Sequence, residues 1–313
     1  MKTAQGVTVV ANGKLVDGTG SPPVPDAAVV MKDGRVVYAG PSAGAPEVPP
    51  EAARIDARGG TIMPGLVEAH FHPTYFNVSE LADLDIKYPV EYVTILAACN
   101  AKLALECGYT AARSGGSLHN IDVWLKKAIE EDLVPGPRLA ASGREICGAG
   151  GLMDWNPDHL KLGMEGLILL INGPEEGRRA VRKLVKDGVE WVKTYPTGDA
   201  AAPDAADHHT LCMTFEEMAA VVAEAHNFRR KVTGHCRATQ GIKNALRPGS
   251  TRWSTARSWT PRRSTSSWSA TRRSSRPSSS STRASCTGPR SGCRSRSSTG
   301  TRRRSKGGPR APG

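Results

Sequence analysis

The sequence has no Cys-x-x-Cys pair, no apolar run near the ~20 residues of a membrane span, and no acidic residue after position 247. Each absence excludes something. The seven cysteines (Cys99, Cys107, Cys147, Cys212, Cys236, Cys286 and Cys293) are widely scattered, and they read as reduced thiols of a cytoplasmic protein. The opening Met1-Lys2-Thr3-Ala4-Gln5-Gly6 lacks the apolar centre of a secretion signal. The most apolar stretch, Leu167-Ile168-Leu169-Leu170-Ile171, is far too short to cross a bilayer. The expectation is a soluble chain with no membrane partner.

The missing acids also locate the charge. The formal net charge is +12, but residues 248–313 hold 15 Arg and 1 Lys with no Asp or Glu. That leaves 26 basic against 30 acidic groups in residues 1–247, a net of −4. The basicity belongs to the tail, and no nucleic-acid partner is expected for the body. At 313 residues the chain is long enough for one large or two ordinary domains.

Residues 1–60 read as a small β module of the sandwich type. Val7-Thr8-Val9-Val10, Ala27-Ala28-Val29-Val30-Met31 and Arg35-Val36-Val37-Tyr38 are short β-rich runs, and Asp33-Gly34 is a two-residue hairpin signal. Asn12-Gly13 and Asp17-Gly18 mark further turns. From residue 61 the rhythm becomes strand, loop, helix. Strands are expected at 61–73, 109–113, 138–142, 189–195 and 231–235. Helices are expected over 89–107, 121–131, 174–186 and 214–229. The last is capped by Thr214 with Glu217, and the third has Pro174 at its start and Gly188 as its stop. Strands alternating with helices predict a parallel α/β architecture, with functional groups at the C-terminal strand ends.

That rule selects His70 and His72 at the end of the first strand, Lys193 near the end of the fourth, and His235 at the end of the fifth. Side chains two apart on a strand share a face, so His70 and His72 converge as a half-site for zinc or a similar ion. The bland alternative is two partly buried histidines held by carbonyls. Lys193 sits in an apolar strand, where an ammonium is costly. It is either paired with a carboxylate or converted by carbon dioxide into a carbamate, an anion able to bridge two metals. Arg113 and His159 are candidates for substrate contact; for Arg113 a barrel salt bridge competes. His119 can also reach substrate, whereas His208, His209 and His226 read as solvated loop or helix residues.

Taken together, His70-Phe71-His72, Arg113 in Thr110-Ala111-Ala112-Arg113-Ser114-Gly115-Gly116, Gly136-Pro137-Arg138-Leu139-Ala140-Ala141-Ser142-Gly143, Lys193 in Trp191-Val192-Lys193-Thr194-Tyr195, and Gly234-His235-Cys236 closely resemble the metal-dependent amidohydrolase superfamily. The imidazolonepropionase-like and Xaa-Pro dipeptidase-like group is the best match, over residues 7 to about 247. The resemblance implies a (β/α)8 TIM barrel with one or two divalent metals, zinc foremost. His70 and His72 would bind the first metal, carboxylated Lys193 would bridge, and His235 would bind the second. A further His after strand six and a general-base Asp after strand eight would complete the site. Two departures stand out: Glu68 where an Asp is common, and no His beside Gly150-Gly151-Leu152.

Residues 248–313 contain no Leu, Ile, Val, Phe, Tyr, Met, Asn, Gln or His, and 19 of them are Ser. Such a segment cannot bury a core and is expected to be disordered. Its codons suggest a cause. If one base is lost just after Arg247, Pro248-Gly249-Ser250-Thr251 regroups to permit Ala-Gly-Val-Asp. Thr251-Arg252-Trp253-Ser254-Thr255-Ala256 then permits Thr-Val-Glu-His-Gly, the text the resemblance implies after strand five. The rival is a genuine basic tail that binds RNA or another polyanion. The DNA around codon 247 decides between them.

The domains are thus expected as a β module at 1–60, an incomplete barrel of about five strands at 61–247, and a frameshifted tail at 248–313. The function expected of the gene is metal-assisted hydrolysis of a C–N bond in an amide, cyclic amide, carbamate or urea. Xaa-Pro dipeptide hydrolysis and a non-catalytic, polyanion-binding protein are the alternatives. No residue here is the general base, so the chain as written is expected to be inactive or weakly active. A small-molecule substrate, and a homo-oligomer for the parent, complete the expectation.

Overall fold

The computed structural model describes residues 6–253 except 77, 79–82, 155, 156, 158, 160–163, 200–208 and 249–251. Apart from Pro248 and Arg252–Trp253, the tail and its expected disorder lie outside the described residues.

The first five strands are β1 (Val7–Leu15), β2 (Val24–Lys32), β3 (Arg35–Pro41), β4 (Ala53–Asp56) and β5 (Thr61–Ile62). They form one sheet of order β3-β2-β1-β4, with β5 also on β1. Among the described residues this is a single sheet rather than the expected sandwich. Lys32 pairs with Arg35 across Asp33 (φ 49°) and Gly34 (φ 75°), the left-handed turn that the hairpin signal predicted. Asn12-Gly13 corrects the other reading. Asn12 (φ 59°) lies inside β1, where the register shifts between Val10 and Gly13, so it makes a bulge and not a turn.

The α/β part runs β6 (Leu66–Phe71), α1 (Asp83–Ile86), α2 (Val90–Glu106), β7 (Tyr109–Ser114), α3 (Ile121–Glu130), β8 (Arg138–Ala140), β9 (Glu145–Gly148) and α4 (Met164–Leu167). It continues with β10 (Ile168–Ile171), α5 (Pro174–Asp187), β11 (Trp191–Thr194), α6 (Phe215–Asn227), β12 (Lys231–Gly234), α7 (Thr239–Leu246) and β13 (Arg252–Trp253). All five expected strands and all four expected helices are present. Local chemistry explains their ends. Pro89 is the N-cap of α2, Pro174 opens α5, and Gly188 (φ 104°) closes α5 in a left-handed cap. Thr214 and Glu217 complete the capping box of α6.

The strands form two parallel sheets, β6-β7-β8 and β10-β9-β11-β12-β13, and the barrel is not closed. β10 was not expected as a strand; its four residues pair in register with β9. The helices cover these sheets with one apolar stripe each, such as Val93, Ala97 and Ala101 on α2 and Ile121, Leu125 and Ile129 on α3. At the β6 edge Leu66 is 40% and Val67 66% exposed, the uncovered apolar surface that an open barrel must leave.

Candidate metal centre at the strand ends

His70 is the penultimate residue of β6 and His72 follows that strand, so both rings leave it on one face. Their Nε2 atoms lie 3.0 Å apart. The Nδ1 of His72 lies 3.1 Å from the Gly116 carbonyl, which accepts only if Nδ1 carries the proton. The Nε2 of His72 is then bare, and the proton between the two rings is on His70. Tyr75 stacks on His72 at 4.0 Å and fixes the plane of the ring.

The segment after β7 supplies the floor. The backbone N–H of Gly115 donates to Phe71 at 2.7 Å. A Cβ on Gly115 would stand 2.3 Å from His70 Cδ2, 2.8 Å from His70 Nε2 and 2.9 Å from His72 Nε2. The bare backbone there lets the two nitrogens meet. Gly115→Ala is therefore expected to spread the imidazoles and weaken zinc binding about tenfold or more without unfolding the chain; competition with a chromophoric chelator measures it.

Lys193 is 1% exposed and donates from Nζ to the Gly115 carbonyl at 3.0 Å. Its ammonium also lies 4.8 Å from the centre of the Tyr195 ring. Burial pushes its pKa down, and the field of Glu145 pulls the other way. Glu145, at the start of β9, is fully buried, with Oε1 3.8 Å from His72 Nδ1. It also bonds the Tyr195 hydroxyl. Gly116 (φ 133°) makes room for it, since a Cβ there would lie 1.5 Å from Oε1. Sequence reasoning missed Glu145, although an acid opening the buried run Ile146-Cys147 carried the same signal as Lys193 in its strand.

His235 follows β12, with its N–H on the Thr194 carbonyl at 2.9 Å and its Nε2 3.0 Å from Asp199 Oδ2. Burial, and then the Lys193 charge, hold its pKa near 4, and the same two causes hold His70 near 3. Burial keeps His72 well below its ordinary value too. All three imidazoles are neutral at physiological pH, the state in which a ring nitrogen can bind a cation. The pH dependence has a definite sign. Against an ordinary value of 6.5, the unfolded chain takes up protons that the folded chain refuses. The metal-free protein is therefore most stable above about pH 6.5 and loses stability as pH falls towards about 4 and then 3. A melting temperature that stays flat through that window contradicts this.

Among the described residues no three His, Cys, Asp or Glu side chains stand close enough to share one ion. The donor set still fits a divalent cation in its chemistry: two facing imidazoles over a floor without side chains, and a buried amine on the same carbonyl floor. His235 lies close enough for its charge to be felt at both His70 and His72. Of the candidates for substrate contact, Arg113 donates to the Ala69 carbonyl at 2.9 Å and lies over the Trp191 ring at 4.9 Å. It braces the strand one residue before His70. His159 lies in an exposed turn, His119 (φ 50°) is exposed beside α3, and His209 and His226 are exposed. His208 lies outside the described residues.

The profile of the Amidohydrolase family matches residues 61–255. The chain is 27% identical over 271 residues to an ochratoxinase of Aspergillus niger, covering 78% of this chain and 53% of that protein. It is 31% identical over 115 residues to an imidazolonepropionase of Myxococcus xanthus, covering 36% of this chain and 23% of that one. A crystal structure of a Xaa-Pro dipeptidase with bound methionine in the active site superposes with a TM-score of 0.70 at 26% identity. That match covers 79% of this chain and 61% of the other. The chain thus spans about half the length of the ochratoxinase it matches.

Proposed function

This chain belongs to the amidohydrolase family, and on that premise we propose that its strand-end site serves metal-assisted hydrolysis of a C–N bond. The bond is that of an amide, cyclic amide, carbamate or urea. The observation that carries this reading is the pair of Nε2 atoms 3.0 Å apart over Gly115, on the carbonyl that also receives the buried Lys193. One or two divalent ions, zinc first, would be held by His70, His72, Lys193 and His235. The ion supplies a Lewis acid that acidifies water and polarises the scissile carbonyl.

The chain's own residues do the rest. The Gly116 carbonyl and the Tyr75 ring hold His72 with its Nε2 bare. Arg113 ties down the Ala69 carbonyl and so fixes where β6 ends. Burial lowers the Lys193 pKa, which favours the neutral amine. That amine can add to the carbon of carbon dioxide: an N–C bond forms, one N–H proton leaves to water, and a carbamate anion results. The Xaa-Pro dipeptidase similarity favours a second reading in which the amide is the peptide bond before proline.

The test is hydrolysis of a panel of N-acyl amino acids, cyclic amides, carbamates, ureas and Xaa-Pro dipeptides by the protein loaded with zinc. Activity on at least one class, lost on chelation and restored by zinc, is the expected result. Turnover that persists in excess chelator contradicts the reading.

A further inference from the structure

Asp199 stands beside this site, and nothing in the sequence marked it. It follows Thr197-Gly198 in the loop after β11, and three nitrogens converge on its Oδ2. They are His235 Nε2 at 3.0 Å, Arg237 Nε at 2.9 Å and Arg237 Nη2 at 2.8 Å. The Arg237 backbone N–H in turn donates to Thr197 Oγ1 at 2.8 Å, so the loop after β11 and the loop after β12 are tied together twice. We propose that Asp199, clamped by Arg237, is the positioning residue that holds the proton of His235 on Nε2 and leaves Nδ1 as the nitrogen that faces a divalent ion.

The argument is one of donors and acceptors. A carboxylate can only accept, and it faces Nε2, so Nε2 must be the protonated nitrogen. The ring is neutral, pushed there by burial and by the Lys193 charge, so it carries only that proton. Nδ1 then keeps its lone pair. A carboxylate on the second nitrogen of a ligating histidine fixes the tautomer and strengthens the donor. The guanidinium keeps Asp199 ionised and bound, which suits an anchor and not a proton acceptor for water. This inference rests on the metal-site reading for His235, but its first test does not.

That test is the tautomer of His235 in the metal-free protein, read near neutral pH by proton–nitrogen correlation of isotope-labelled histidine. The protonated Nε2 is expected in the unaltered chain, and a protonated Nδ1 overturns the proposal without any variant. Asp199→Asn keeps an accepting oxygen and should preserve the tautomer; Asp199→Ala should leave a mixture. An unchanged tautomer in a folded Asp199→Ala protein also overturns it. Zinc affinity then tests the link to the metal. About a 10–100-fold loss is expected in Asp199→Ala and a smaller one in Asp199→Asn, and equal affinity in all three proteins refutes the positioning role. A correct tautomer in a protein that binds no zinc at all leaves the clamp standing and removes the metal reading.

Discussion

Lys193→Ala is expected to weaken zinc binding by more than about 100-fold, since an outer-shell change alone costs 10–100-fold, and to abolish measurable hydrolysis. Lys193 is 1% exposed, and its Nζ reaches the Gly115 carbonyl under the two imidazoles. Burial opposes its charge, so a lysine retained there needs a reason beyond packing. Two reasons are available, and they separate experimentally. If Lys193 serves only as counter-charge to the fully buried Glu145, removing both charges in Lys193→Ala/Glu145→Ala should restore much of the zinc affinity. If Lys193 becomes the bridging carbamate, the double variant should stay as weak as the single one. Acetate or propionate should then partly rescue Lys193→Ala by filling the vacated carboxylate position. Zinc titration of the three proteins, with and without the short acid, gives the answer. Full affinity in Lys193→Ala contradicts both reasons.

The second large effect is expected at the histidine pair. His70→Ala and His72→Ala should each remove most zinc from the purified protein, read as metal per chain. The two variants should differ in stability. His72 is stacked on Tyr75 at 4.0 Å and lies 3.1 Å from the Gly116 carbonyl. Its loss therefore frees a carbonyl and unpacks a ring, and its melting temperature should fall further than that of His70→Ala. Equal metal content in wild type and His70→Ala would place the ion elsewhere.

The parts of this molecule that could be read from its sequence share a physical character: they are set locally. Pro174, Glu175, Glu176 and Gly188 mark both ends of α5 within its own residues, and Thr214 with Glu217 opens α6 through contacts three residues apart. Each of the expected ligands, His70, His72, Lys193 and His235, lies at or near the end of a short apolar strand, where a parallel fold collects functional groups. The parts that were missed depend on distant partners. Asp199 acquires its role from Arg237, 38 positions away, and Glu145 from His72 and Tyr195. Nothing near either acid announces those contacts. Asn12-Gly13 failed for a different reason: the same left-handed backbone serves a hairpin turn and a bulge, and only the pairing of β1 with β2 decides which. After Arg247 the large aliphatic residues vanish, so no further buried strand is legible there.

The most direct measurement is zinc-edge anomalous diffraction from crystals grown with zinc. The account predicts a peak at about 2.0–2.1 Å from Nε2 of both His70 and His72, with Lys193 on its far side. A peak elsewhere, or none at that position in zinc-saturated crystals, contradicts it.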